Sequence, residues 1–144
     1  MRYSNVVMVK VSAMPVDMVI IQVYMPTTDH EDDEVEQLYE QLEEIIGKQK
    51  GRENVIVMGD FNAVVGEGSE GKVIGKYGLG TRNDRGQMLI EFCKKNQLVI
   101  TNTWSQQEKR RRYTWKNPGD TERYQIDYVL VRQRYRNGVK GCKS

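Results

Sequence analysis

The sequence predicts one domain of the α/β class, of the layered α+β kind, over its 144 residues. Three observations predict it: a pair of β-branched runs near the start, two later stretches with apolar residues at helical spacing, and a short apolar run after each of those stretches. Strand and helix signals therefore alternate, which favours helices packed on a sheet. No internal repeat or low-complexity tract interrupts the pattern.

Val6, Val7, Met8, Val9 and Val11 form the first run, and Met18 to Ile21 with Val23 and Tyr24 form the second. Ser12-Ala13-Met14-Pro15 between them predicts a turn and a pair of strands. Pro26 ends the second strand, and the acids from Asp29 to Glu34 suit a helix N-terminus, where the backbone dipole favours negative charge. Val35, Leu38, Leu42 and Ile45 then recur at three- and four-residue spacing, with Gly47 as the expected C-terminal cap.

Asn54 to Met58 is short and apolar without alternation, which predicts a strand covered on both faces. Residues 66–80 carry six glycines and predict a long, flexible surface loop. Met88, Leu89, Phe92 and Cys93 mark a second amphipathic helix that stops near Asn96, and Leu98 to Ile100 returns as a strand. Tyr113 to Trp115 and Gln125 to Arg132 read as further strands around the turn Asn117-Pro118-Gly119-Asp120.

Charge is distributed unevenly along the chain. Residues 1–106 hold 11 basic and 16 acidic groups, whereas residues 107–144 hold 11 and 4, so nets of −5 and +7 hide behind an overall +2. Nine acids and no Lys or Arg lie between positions 29 and 44, so a polyanion is expected to dock elsewhere. The longest apolar runs are four residues, far short of the ~20 that cross a bilayer. With no signal-peptide pattern at the start and only Cys93 and Cys142 as thiols, the expected setting is intracellular, nucleus or cytoplasm, with no membrane partner.

Asp60 and Asn62 follow a strand and are two apart, so their side chains fall on one side of the chain and can act on one small target. A carboxylate there can orient or deprotonate water and an amide can hold it, as phosphodiester hydrolysis requires; Asp and Asn are equally common as simple turn residues. Val23-Tyr24-Met25-Pro26, Met58-Gly59-Asp60-Phe61-Asn62 and Gln125-Ile126-Asp127-Tyr128 occur in that order. With these three motifs the sequence resembles the endonuclease/exonuclease/phosphatase superfamily, and most nearly the endonuclease domain of RTE-type retrotransposons.

The resemblance implies a Mg²⁺-dependent phosphodiesterase that cuts DNA, built as two packed β-sheets flanked by helices. It implies that Asp60 activates the attacking water, Asn62 orients it or contacts metal and phosphate, Tyr24 hydrogen-bonds the phosphate, and Asp127 orients a catalytic histidine. Asp60 and Asn62 are thus the implied metal contacts. It also implies a Glu metal ligand ahead of the first strand pair and a closing Ser-Asp-His motif, and the sequence shows neither. Residues 1–144 therefore read as a partial domain, expected to be inactive alone and to expose an apolar sheet face and edge open to a partner or to aggregation. The single histidine, His30, lies in the acidic segment and matches no catalytic position.

Gly66-Glu67-Gly68-Ser69-Glu70-Gly71-Lys72 imitates a phosphate-binding loop, but Val73 replaces the required Ser or Thr and two glutamates oppose phosphate, so no nucleotide is expected there. Lys109, Arg110, Arg111 and Arg112, with Trp115 beyond them, are the expected nucleic-acid contacts, charge for the backbone and a ring for a base, although the alternation Tyr113, Thr114, Trp115 equally fits strand packing with Trp115 in the core. Arg123, Arg132, Arg134 and Arg136 extend the positive region if they share that face.

Overall fold

The structure is a computed structural model that describes residues 5–27, 32–49, 52–104, 112, 115–116 and 123–138, with backbone only at 115–116, 123–124 and 136–138. Strands β1 (Val6–Val11) and β2 (Met18–Tyr24) pair antiparallel, with Val6 opposite Val23 and Val11 opposite Met18. Helix α1 (Asp32–Gly47) then carries the chain over the sheet to β3 (Asn54–Asp60), which lies parallel to β2, the connection that two parallel neighbours require. Helix α2 (Asp84–Lys95) leads to β4 (Leu98–Ile100) and a 3₁₀ turn, Thr101–Thr103.

The short strands β5 (Trp115–Lys116) and β6 (Arg123–Tyr124) form a separate two-stranded ribbon, and β7 (Asp127–Arg132) enters the main sheet between β3 and β4. The result is a mixed five-stranded sheet of order β1-β2-β3-β7-β4 with two helices, the predicted α+β class.

One face of the sheet makes the core. Val19, Ile21, Val23, Val55, Val57, Tyr128 and Leu130 point to the helices and are buried against Val35, Leu38, Leu42 and Ile46 of α1 and Leu89, Ile90, Phe92 and Cys93 of α2. Tyr39 and Phe92 join the two helices ring to ring, centroids 4.9 Å apart. In α1 the buried stripe ends on Ile46, with Ile45 partly buried, a one-residue shift from the predicted end of the stripe. Asn83 caps α2 by accepting from the Gly86 amide at 2.8 Å, and Asn96 ends it by donating to the Phe92 carbonyl.

The opposite face of β1, β2 and β3 is open. Val7, Val9, Val11 and Met58 stand exposed there, with Ile20 and Ile56 half-buried among them. The expectation that β3 is covered on both faces is therefore corrected: its continuous apolar run reflects a second face that is apolar without being covered by the described residues. The glycine-rich loop also differs from expectation. Val73 and Ile74 are buried, Ile74 bridges to Ile100, and Arg82 and Lys94 both hold Glu70, so the loop is stapled to the body. Lys72 sits in its exposed turn, and α2 begins only at Asp84. No described helix is long and apolar enough to cross a membrane.

Candidate active site at the ends of β2, β3 and β7

Register decides which residues meet. Tyr24 lies opposite Asp60 across β2–β3, and Asp60 lies opposite Asp127 across β3–β7, so three residues far apart in sequence stand side by side on neighbouring strands. Paired residues point the same way, and strands sit about 4.8 Å apart. The three side chains therefore line one end of the open face. Tyr24 is 56 % exposed, its ring presented outward, while Asp60 and Asp127 are half-buried.

Gly59 makes the close β2–β3 contact possible. Its φ of +139° and a would-be Cβ only 2.0 Å from the Val23 carbonyl oxygen exclude any side chain one residue before Asp60. Beyond Asp60 the backbone stays tied to both neighbours, with Met25 N donating to the Asp60 carbonyl and Phe61 N to the Ile126 carbonyl. Asn62 then turns at φ +44°, a left-handed conformation that asparagine tolerates. Its amide N–H donates to Asp60 Oδ1 at 2.9 Å, and its Nδ2 donates to the Met25 carbonyl at 2.7 Å. That engages one of the two Nδ2 hydrogens and leaves the side-chain carbonyl oxygen able to take a ligand alongside the second N–H.

The chain after Asn62 is fixed from below by Tyr128, on the covered side of β7. Its hydroxyl sits between the carbonyls of Gln125 (2.6 Å) and Ala63 (3.1 Å) and accepts from Val65 N at 3.2 Å. Burial pushes the Asp60 carboxyl above the usual range, the Asn62 amide draws it back, and the nearby Asp127 charge adds to the rise. Two carboxylates and an amide oxygen are hard donors, suited to a small divalent cation that uses one or two carboxylates and fills its sphere with water and phosphate. No group of three or more His, Cys, Asp or Glu side chains converges as a metal site among the described residues.

Sequence reasoning missed Asn102. Where β4 gives way to the 3₁₀ turn, its buried side chain continues the ladder: Oδ1 accepts from Val129 N at 2.9 Å and Nδ2 donates to the Asp127 carbonyl at 3.3 Å. Thr101 Oγ1 adds a bond to the Val129 carbonyl. The available signal was three polar residues, Thr101-Asn102-Thr103, directly after an apolar strand.

Of the expected basic residues, the side chains of Arg112, Arg132 and Arg134 are described, and they do not share one face. Arg112 turns its guanidinium to the protein, donating to the Gly78 carbonyl at 3.0 Å beside Glu67, and its side chain is only 11 % exposed. Arg132 and Arg134 sit at the far end of β7 from Asp127, with Arg132 donating to the Glu53 carbonyl. Lys109, Arg110, Arg111, His30, Cys142 and the turn at 117–120 lie outside the described residues, as does the side chain of Trp115.

This fold, with its polar strand ends, is of the endonuclease/exonuclease/phosphatase type. The chain overlays on the endonuclease domain of TRAS1, a telomere-specific non-LTR retrotransposon, with a TM-score of 0.64, 17 % identity, and coverage of 95 % of this chain and 54 % of that one. It overlays on the 3′ phosphatase NExo from Neisseria, solved with a product DNA hairpin, with a TM-score of 0.66, 16 % identity, and coverage of 95 % and 55 %. A family model described as endonuclease-reverse transcriptase matches residues 18–140, and the chain belongs to that family. It is 40 % identical to craniofacial development protein 2 of Bos taurus over 144 residues, 100 % of this chain and 24 % of the relative, and 37 % identical to that of Tragulus javanicus, where it covers 25 %. The chain thus spans about a quarter of the length of the curated relatives it matches.

Proposed function

We propose that the chain supplies one side of a Mg²⁺-dependent phosphodiesterase site, acting on DNA and of retrotransposon descent. The observation that carries this reading is the alignment of Tyr24, Asp60 and Asp127 at one end of three adjacent strands, with Asn62 anchored beside them. Asp60 and Asn62 would hold the cation, which when bound would offset phosphate charge and sharpen the acidity of water.

Asp60 accepts hydrogen bonds from the attacking water and takes its proton. The Asn62 carbonyl oxygen fixes that water's direction, and the Tyr24 phenol donates to a non-bridging phosphate oxygen. Asp127 holds a proton-bearing partner for the leaving oxygen, a group these four residues do not include. In this reading the site is completed by further polypeptide, for which the open apolar face next to Tyr24 offers a surface.

A second reading, a non-catalytic nucleic-acid-binding piece, is favoured by the net +7 of residues 107–144. Paramagnetic Mn²⁺ as a probe separates the two. The nuclease reading expects selective broadening of the Tyr24, Asp60, Asn62 and Asp127 amide resonances, lost in Asp60→Asn, and no Mg²⁺-dependent plasmid nicking by the chain alone. Absence of selective broadening, with salt-sensitive DNA binding intact, would establish the binding reading. Nicking that disappears with EDTA and in Asp60→Ala would show instead that these residues suffice.

A further inference from the structure

The loop from Gly75 to Gly78 has no part in the chemistry described above, yet it is built against the residues that fix Asp127. Gly75 N donates to Thr103 Oγ1 and Tyr77 N to the Thr103 carbonyl, both at 2.9 Å, one residue beyond the Asn102 that holds the Asp127 carbonyl. A Cβ at Gly75 would fall 2.4 Å from the Thr103 carbonyl oxygen, and one at Gly78 would fall 1.9 Å from that of Gly66. Neither position has room for a side chain. The two residues between them, Lys76 and Tyr77, are the ones the loop displays, Lys76 exposed and Tyr77 half-buried.

Two cations meet the Tyr77 ring, the Lys76 ammonium at 5.5 Å from the centroid and the Arg112 guanidinium at 5.8 Å. Arg112 is fixed by Gly78 and Glu67 and so braces the ring, while Lys76, the other cation in contact with it, is exposed to solvent. Trp104 follows Thr103 directly and is 37 % exposed, although its Cα would lie only 2.9 Å from a Cβ at Gly75. A part-exposed tryptophan, a half-buried tyrosine and an exposed lysine are thus carried by tied backbone beside the end of β7. We propose that Lys76, Tyr77 and Trp104 form a stacking platform for unpaired nucleobases flanking the phosphate at the Asp60–Asp127 site. The platform rests on the nuclease reading for the class of its ligand, and it accounts for rings and charge together: flat faces for bases, Lys76 for the linking phosphate.

The test uses the 144-residue chain in EDTA, which removes the chemistry, with Trp115→Phe so that Trp104 alone reports. Titration with short oligothymidylate is expected to quench Trp104 emission saturably, and with a blunt duplex of equal phosphate number to quench it far less. Anisotropy of labelled oligothymidylate is expected to show Trp104→Ala binding at least about fivefold more weakly and Trp104→Phe close to the parent, as stacking on any ring predicts. Lys76→Gln is expected to lower the salt slope by about 0.7, one single-strand phosphate contact.

Unchanged Trp104 emission at oligonucleotide concentrations that saturate binding overturns the platform. So does Trp104→Ala with parental affinity, or equal quenching by the duplex. Where Trp104→Ala fails to fold by circular dichroism, the emission titration and Tyr77→Leu decide alone. Failure of the nuclease reading shows up separately, as loss of selective Mn²⁺ broadening while this quenching persists.

Discussion

Ile20 and Ile21 are neighbours on β2, identical in chemistry, and face opposite sides of the same sheet. Ile21 is fully buried under the helices; Ile20 is half-buried on an open face beside Val9 at 50 % exposure. The difference teaches that hydrophobicity in this chain serves two ends. On one side it holds the fold together, and on the other it prepares a surface that ends in Tyr24, Asp60 and Asp127.

The largest expected effect tests that division directly. Ile21→Ala removes side-chain carbons from a packed core and is expected to cost about 3 kcal/mol, whereas Ile20→Ala is expected to cost about 1 kcal/mol or less. Urea melts of the two variants check it. Equal losses would break the comparison, because the open face would then be contributing as much burial as the covered one.

Next in size is the behaviour of the open face itself. Met58→Lys puts a charge at its centre, where Met58 is 36 % exposed, and is expected to leave the melting midpoint nearly unchanged while cutting self-association and dye binding to apolar surface. Sedimentation velocity across a concentration series reads the first, and ANS fluorescence the second. A monomeric parent that binds no dye would mean the face is too small or too well hydrated to recruit anything.

Much of this was legible in the sequence, and the gaps have physical reasons. Both helices and β2 follow from apolar spacing because each buries one stripe or face, whereas β1 and β4 follow from their apolar runs, β1 mostly exposed and β4 buried throughout. The apolar run at Asn54–Met58 misled, because sequence reports that a face is apolar and not whether anything covers it. The loop at 66–80 misled in the other direction: six glycines suggest freedom, but here glycine permits backbones to touch, as at Gly78 against Gly66. Of the candidate site, Tyr24, Asp60, Asn62 and Asp127 were singled out through motifs, and the strand register brings Tyr24, Asp60 and Asp127 side by side. Asn102 was not, since its role depends on β4 and β7 being neighbours, which no local pattern encodes.

A smaller effect sharpens the contrast at the site end of the open face. Asp60 and Asp127 are opposite one another, and burial together with that like charge raises the Asp60 carboxyl above its usual range. Asp60→Asn removes the charge and keeps the shape, so it is expected to raise the melting temperature by roughly 2 °C near pH 7 while abolishing selective Mn²⁺ binding. A lower melting temperature would show that the carboxylate stabilises the strand ends through its bond to the Asn62 amide more than it strains them.

The smallest effect concerns the covered side, where Glu70 of the glycine-rich loop pairs with Lys94 of α2 and with Arg82 just ahead of that helix. The Lys94 hydrogen bond, then that of Arg82, holds the Glu70 carboxyl below its ordinary value of 4.5. An acid whose folded value is depressed stabilises the fold above its unfolded value and loses that contribution as pH falls through the folded one. The side chains are partly exposed, so solvent screens the pairs and the effect is modest. Glu70→Gln is thus expected to melt about 1–2 °C below the parent near pH 7, with the gap closing below about pH 4.5 and shrinking in high salt. A gap much larger than this that still closes in acid would mean that the ion pairs rather than buried Val73 and Ile74 hold the loop in place, whereas a gap that survives acid would trace to something other than the Glu70 charge, and either result would break the assignment of the covered face to burial.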